Sequence, residues 1–441
     1  MTNCSRESIS FPAQKGRRIE ASFTGGNISS DGGLPLLRRI DQQIGLTSAA
    51  AAGIDDPRDP LRIQHSLTSL IQQRVYAIAQ GYEDLNDHQQ LRHDILLQTA
   101  VNADEALGSS PTLCRMGNWE HHRQSAVSIH RVIIDKFIAS YATPPMELIV
   151  DFDATDTPIH GQQQERFFHG YYDHYCFLPL FVFCGRQLLV AYLRPSKNDG
   201  ARHAWAILSL LVKRLRQSWP AVRIIFRGDS GFCRHRMLDW CDRNRVGYCV
   251  GLAKNLRLNR QPGVQEAIKA MSAIYHMTGV KQRHFESFRY AAGTWSYPRR
   301  VIVRLEFGSQ GEDHRYIVTN IVGTANVLYE KLYCQRGEME NRIKSIQLDL
   351  FSGRSSCHFF IANQFRLLMS ALAYILLERL QAIALTETEL ADSSLGTIRL
   401  KLLKIGAVIT RNTRRIKIML SSAYPYQCLL RLAARRLSPT S

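Results

Sequence analysis

The sequence predicts an α/β protein: a mixed sheet flanked by helices, with a helical N-terminal region before it and a β-rich insertion within it. Three observations predict this. The runs ELIVDFD, CFLPLFVF and QLLVAYL read as successive strands, the last two joined by a short turn at Gly185. An amphipathic helix (204–219), the apolar strand VRIIFRGD, the helix CRHRMLDWCDRN and the strand GYCVGL then alternate, as in a sheet with helices on its faces. At 441 residues, 45% hydrophobic and 21% charged, the chain has the length for two or three buried cores and is not of disordered composition.

Residues 1–143 read as mostly helical. Ser29, Ser30 and Asp31 are caps before Leu34, Leu36, Leu37, Ile40 and Ile44. A long amphipathic helix spans 60–82 and ends near Gly81, Pro111 follows serine caps, and AVSIHRVIIDKFIASY closes the region. Short helices with dispersed basic residues suit a DNA-binding module and equally a plain helical scaffold. Residues 144–254 read as the first part of the mixed α/β core. Residues 255–325 are the β-rich insertion, with a helix over 264–277 and strands in HFESFRYAAGTW, RRVIVRLEFG and HRYIVTNIV. The core resumes over 326–390 with a helix from near Asn326 and a second in NQFRLLMSALAYILLERLQAIAL. Residues 391–441 are a basic C-terminal region, in which 399–436 hold ten basic side chains and no acid, so phosphate contacts are expected there.

The formal net charge is +18, from 56 Lys+Arg against 38 Asp+Glu, with pI near 9.6. That excess favours a polyanionic partner, because Lys and Arg release condensed counterions from phosphate backbones. No membrane partner is expected: no basic amphipathic helix stands out, and the apolar run 367–377 is shorter than the roughly 20 residues of a span. Residues 1–7 lack the apolar stretch of a signal peptide, so a bacterial cytoplasmic location is expected. The ten cysteines are scattered without a C-x-x-C pair and read as reduced, buried thiols.

Three places set an acid where catalysis needs one. The two-residue period of LIVDFDATD sends Asp151 and Asp153 to one face, Asp153 where the strand runs out. Asp229 ends the strand VRIIFR, and in open α/β sheets sites assemble at the carboxyl ends of strands. Glu340 lies in LYCQRGEMENRIKSIQLDL, whose core stripe Leu332, Met339, Ile343, Ile346 and Leu350 runs beside a polar stripe of Tyr333, Arg336, Glu340, Lys344 and Gln347. Taken singly, each acid has an ordinary reading as a turn former, a cap or half of a solvated ion pair. Together, two carboxylates about 4 Å apart repel by roughly 4 kcal/mol at an effective dielectric near 20. A shared proton or a cation relieves this, and oxygen-only ligands suit Mg²⁺ or Mn²⁺. Two such ions about 3.5–4 Å apart serve in-line displacement at a phosphodiester.

The chain resembles the DDE insertion-sequence transposases with an RNase H-like catalytic domain, within the group carrying a Y-R-E-K signature. Tyr333, Arg336 and Glu340 stand at that signature's intervals, while its Lys position holds Gln347; Lys344, one turn earlier, is the alternative phosphate contact. QQRVYAIAQGYEDLNDHQQLRHD, DFDATDTPIHGQQQERFFHGYYDHYCFLPL and IRLKLLKIGA resemble stretches of one branch of these transposases, so the similarity covers nearly the whole chain. It implies an RNase H-like five-stranded mixed sheet, with Asp153, Asp229 and Glu340 as catalytic, metal-holding acids and two Mg²⁺ or Mn²⁺ ions. Asp153 is preferred to Asp151, deeper in the strand, and to Asp156 in the loop.

The resemblance also implies that Tyr333, Arg336, Lys344 and Gln347 contact DNA. It implies an enzyme that binds the terminal inverted repeats of its element, cleaves the ends and joins 3′-OH groups to target DNA. Such a protein works as a homodimer on paired ends and is nucleoid-associated when bound. An RNase H-like endonuclease without strand transfer and a catalytically inactive DNA-binding repressor are the alternatives. Phe167, Phe168, Tyr171 and Tyr172 are read as packing their loop, and His160, His169 and His174 fit no compact zinc-ligand spacing.

Overall fold

The computed structural model describes residues 8–438. Residues 1–7, read above as lacking a signal peptide, lie outside the described residues. The chain forms two compact units, one from Glu120–Ala371 and one from Met1–Trp119 with Leu372–Ser441.

The first unit is built on eight strands: β1 (Glu147–Ala154), β2 (Leu180–Cys184), β3 (Gln187–Tyr192), β4 (Arg223–Gly228), β5 (Gly247–Leu252), β6 (Gln282–Tyr290), β7 (Arg299–Gly308) and β8 (Gly311–Thr319). Their order across the sheet is β6-β7-β8-β5-β4-β1-β2-β3. β4 runs parallel to β1 and β5, and every other pairing is antiparallel. The sheet is therefore wider than the five strands predicted. The insertion is not a separate body: β8 pairs with β5, whose edge would otherwise present unpaired backbone N–H and C=O groups. Arg299 at the head of β7 reinforces the join, donating from Nη2 to Asp239 Oδ1 (2.5 Å) and Asp242 Oδ2 (3.1 Å) and from Nε to the Tyr248 hydroxyl (3.1 Å).

Period-two alternation divides β1. Leu148, Val150 and Phe152 face a core shared with Leu208, Leu211 and Leu215 of the helix Ala204–Ser218 and with Met237, Leu238 and Cys241 of the helix His235–Arg243. Each such side chain contributes about 1.5–3 kcal/mol on burial. On the opposite face Cys249, Ile302 and Ile317 pack with Leu328 and Tyr329. Those two residues lie in a helical run over 325–349, in which an α-helical turn (Ala325–Val327) leads into π-helical turns (Leu328–Tyr333 and Ser345–Asp349) and a 3₁₀ turn (Cys334–Arg336) that flank an α-helix (Gly337–Lys344). The predicted uniform helix thus changes pitch four times, a feature common at functional sites.

The apolar run 367–377 belongs to a 25-residue helix, Phe360–Ala384, long and apolar enough by length and composition to cross a membrane; the apolar window that meets this test is 83% buried within the protein.

The other unit opens on a hairpin absent from the sequence reading (Ile9–Gln14 and Arg17–Ala21) and a strand, Asn27–Ser29. The helix Leu34–Ile44 follows, capped by Gly33 without a side-chain bond. Asp31, read as a cap, instead accepts from Lys404 Nζ (2.6 Å) and the Tyr82 hydroxyl (2.8 Å). The segment 60–82 divides into a 3₁₀ turn and the helix Leu67–Gln80, which Ser66 caps and Gly81 ends in a left-handed conformation. From the C-terminal region come a hairpin (Ala407–Arg411 and Ile416–Leu420), which pairs with Asn27–Ser29, and the helix Gln427–Arg436. Among the described residues Cys114, Cys334 and Cys428 are exposed, contrary to a uniform reading of buried thiols.

Candidate active site

The parallel register of β1 and β4 sets the site. Arg227 lies opposite Asp151 and Gly228 opposite Phe152, so Asp229, the next residue, comes level with Asp153 at the carboxyl ends of neighbouring strands. Strands in register lie about 4.8 Å apart, and the two acids share the face of Asp151 and Arg227. Asp229 then leaves the sheet: its Oδ1 accepts from the Gly231 N–H at 2.8 Å and caps the short 3₁₀ turn Ser230–Phe232.

Asp151 is already engaged. Arg227, buried with it, donates from Nε to Oδ1 and from Nη2 to Oδ2 (2.7 Å) in a bidentate fork, and from Nη1 to the Leu332 carbonyl. Burial pushes the Asp151 carboxyl up and the guanidinium opposes that shift. Asp156 is engaged too, its Oδ2 lying 2.8 Å from His174 Nε2. Asp153 is not forked by a strand arginine; its Oδ1 accepts from the Ala154 N–H at 2.9 Å. Burial raises its carboxyl to about 7, Arg336 opposes the shift, and the charges of Asp229 and Glu340 add to it.

Arg336 joins the helix to the sheet. Its Nη1 lies 3.2 Å from Asp153 Oδ2 and its Nη2 2.8 Å from Glu340 Oε1. Glu340 itself is 48% exposed, so one arm of this pair is solvated and the other reaches into the sheet. Tyr333 lies against β5: a Cβ on Gly251 would sit 2.7 Å from its hydroxyl and 2.7 Å from the Ser230 nitrogen, so only glycine admits the phenol there. Burial raises the Tyr333 phenol. Gln347 donates from Nε2 to the Asp156 carbonyl (3.0 Å) and to Thr155 Oγ1 (3.4 Å), tying the helix to the loop after β1. Lys344 is exposed.

Among the described residues no three acidic, histidine or cysteine side chains form a group that would hold a metal as they stand. A positive charge nonetheless occupies the space between Asp153 and Glu340, supplied by the Arg336 guanidinium. The oxygen-only donor set and the upward shift of Asp153 both fit a site that accepts a cation. Of the aromatic residues read as packing their loop, Phe167 lies under Lys197 and Tyr172 beside His169, while Phe168 and Tyr171 are exposed, Tyr171 by 85%. Sequence reasoning missed Arg227 and Gly251. Arg227 had a signal, an arginine in period with Asp229 inside an apolar strand.

Comparison with known proteins gives three results. The chain matches the family described as transposase DDE domain group 1 over residues 11–441. Among solved structures, a cryo-EM structure of the piggyBac transposase synaptic complex with hairpin DNA matches with a TM-score of 0.41 at 11% identity, covering 93% of this chain and 82% of that one. No curated protein matches. A family match spanning nearly every residue means that this chain belongs to the DDE transposases, group 1.

Proposed function

We propose that the protein is an insertion-sequence transposase that binds the terminal inverted repeats of its element, cleaves the ends and joins the 3′-OH groups to target DNA. The observation that carries this reading is the register of β1 and β4, which draws Asp153 and Asp229 level beneath a helix that offers Glu340. The order β3-β2-β1-β4-β5, with the first three strands antiparallel and the last two parallel to β1, supports an RNase H-like core inside the wider sheet. The net charge of +18 supports duplex DNA as the partner.

In this reading Asp153, Asp229 and Glu340 would hold two Mg²⁺ or Mn²⁺ ions, which would supply Lewis acidity at the phosphodiester. Arg336 has two roles. Without metal it pairs with Asp153 and Glu340; were the acids to hold metal, its guanidinium would be free to fork onto a phosphate beside the cut. Tyr333 lies beside the same strand ends, and Lys344 on the exposed turn adds a point charge toward DNA. Gln347 braces the loop after β1 and reaches DNA only by leaving its two loop partners. The protein acts as a homodimer on paired ends, in the bacterial cytoplasm and on the nucleoid.

Asp229→Asn is expected to keep end binding and to abolish cleavage and strand transfer in Mg²⁺; strand transfer retained by that variant would contradict the assignment. One observation favours a second reading: the signature's Lys position holds a glutamine committed to the loop, which suits an inactive DNA-binding repressor. Metal-dependent nicking of end DNA excludes the repressor. Joined products in a plasmid target exclude a nuclease that only cuts.

A further inference from the structure

The unit containing residues 8–119 carries two hairpins whose turns hold basic side chains without an ion-pair partner among the described residues. The first, Ile9–Gln14 with Arg17–Ala21, turns through Lys15 (φ 49°) and Gly16 (φ 77°), the two-residue turn that matches strand twist. Every residue of both strands is exposed, including Phe11 and Ile19, which pair across the ribbon. A two-stranded ribbon with no covered face is marginal on its own in water. Lys15, Arg17 and Arg18 stand at its turn, and Glu20 is the sole acid over residues 8–29.

The second hairpin, Ala407–Arg411 with Ile416–Leu420, turns through Asn412, whose Oδ1 accepts from the backbone N–H groups of Arg414 (3.0 Å) and Arg415 (2.9 Å). That bond fixes the turn and leaves both arginine side chains exposed, with Lys417 exposed beyond them. The turn end of the hairpin is anchored as well: Arg411, which flanks the turn opposite Ile416, donates to the carbonyls of Ala103 (3.3 Å) and Asp104 (2.6 Å). Other cations of this region are spent inside the unit, Arg399 on the Ala79 carbonyl, Lys404 on Asp31 and Arg436 on Thr386. Lys15, Arg17, Arg18, Arg414, Arg415 and Lys417 have no ion-pair partner among the described residues.

Topology brings the open end of the first ribbon to the end of the sheet that carries the second tip. Asn27 pairs with Ile409 and Ser29 with Ala407, so the strand Asn27–Ser29 begins at the end of the sheet where the 412–415 turn lies. The first hairpin joins that strand through residues 22–26, a reach of at most about 20 Å.

Resting on the reading above as a DNA enzyme, we propose that the two hairpins form a clamp on duplex DNA, remote in sequence from the catalytic acids. A two-stranded ribbon is narrow enough to enter the major groove. Lys15, Arg17 and Arg18 would bring the first ribbon there, and Arg414, Arg415 and Lys417 would hold the flanking phosphates. Interactions of this kind with the DNA backbone position the duplex and carry no base sequence.

The test uses the full chain and a short fluorescein-labelled duplex of arbitrary sequence, with affinity read by anisotropy over a series of KCl concentrations. Two triple variants are compared with wild type: Lys15→Ser with Arg17→Ser and Arg18→Ser, and Arg414→Ser with Arg415→Ser and Lys417→Ser. The substituted side chains are exposed, and circular dichroism checks that both variants fold. Each variant is expected to bind at least about 10-fold more weakly at low salt and to flatten the log K–log[salt] slope by about 0.9 for each phosphate no longer neutralised. Wild-type binding with an unchanged slope in either variant overturns the clamp while leaving the transposase reading intact. An unchanged slope with loss of a dimer by light scattering assigns the first ribbon to a second copy and likewise overturns it. No duplex binding and no Mg²⁺-dependent cleavage by wild type sinks both readings.

Discussion

Asp153 is a buried carboxyl whose charge this fold opposes even with the Arg336 guanidinium beside it. Its ordinary value is 3.8 and burial lifts it to about 7. Between those values the folded chain holds a proton that the unfolded chain has lost, so stability falls as pH rises through the window. Below about pH 4 both states are protonated and the penalty vanishes; above about pH 7 it is complete and on the order of a few kcal/mol. In metal-free buffer, Asp153→Asn is therefore expected to melt above wild type at about pH 8, with the gain shrinking toward pH 4. Equal melting differences at both pH values would show that Asp153 does not carry the strained charge. The sequence alone showed Asp151 and Asp153 on one face. It did not show that Asp151 is engaged by Arg227, because that pairing depends on a parallel neighbour more than seventy residues away.

Strand β5 and the helical run meet where Gly251 faces Tyr333 and the backbone of Ser230. An alanine there would place its Cβ 2.7 Å from the Ser230 nitrogen, and backbone yields less readily than a side-chain tip. Gly251→Ala is expected to destabilise the protein by about 1–3 kcal/mol, as overpacking does. It should also reduce Mg²⁺-dependent cleavage more than end binding, since Ser230 follows Asp229. A variant with wild-type melting temperature and cleavage rate would mean that this approach is looser than it stands.

The same junction shows what was legible in the sequence. The strand-end acids and the helix were readable from two-residue and four-residue periods in ELIVDFD and in Tyr333–Gln347. The π-helical turns were not, because side-chain spacing barely changes when one hydrogen bond slips by a residue. The N-terminal hairpin was hidden for a different reason. Pro12 argues against a strand, Lys15-Gly16 is no standard turn pair, and neither face is buried, so no hydrophobic pattern marks it.

At the scale of the whole chain, the proposed function requires acids far apart in sequence to act as one cation site. The strands bring Asp153 and Asp229 level, and the helix brings Glu340 to them through Arg336. The insertion, by continuing the sheet beyond β5, covers an edge next to the strand that supports Tyr333. The central claim is that these three carboxylates bind divalent metal together. Mn²⁺ titrated into the DNA-free protein, with free ion followed by electron paramagnetic resonance, tests it most directly. Wild type is expected to take up Mn²⁺, and Asp153→Asn and Glu340→Gln each to lose that uptake. Equal Mn²⁺ binding by wild type and both variants would contradict the account.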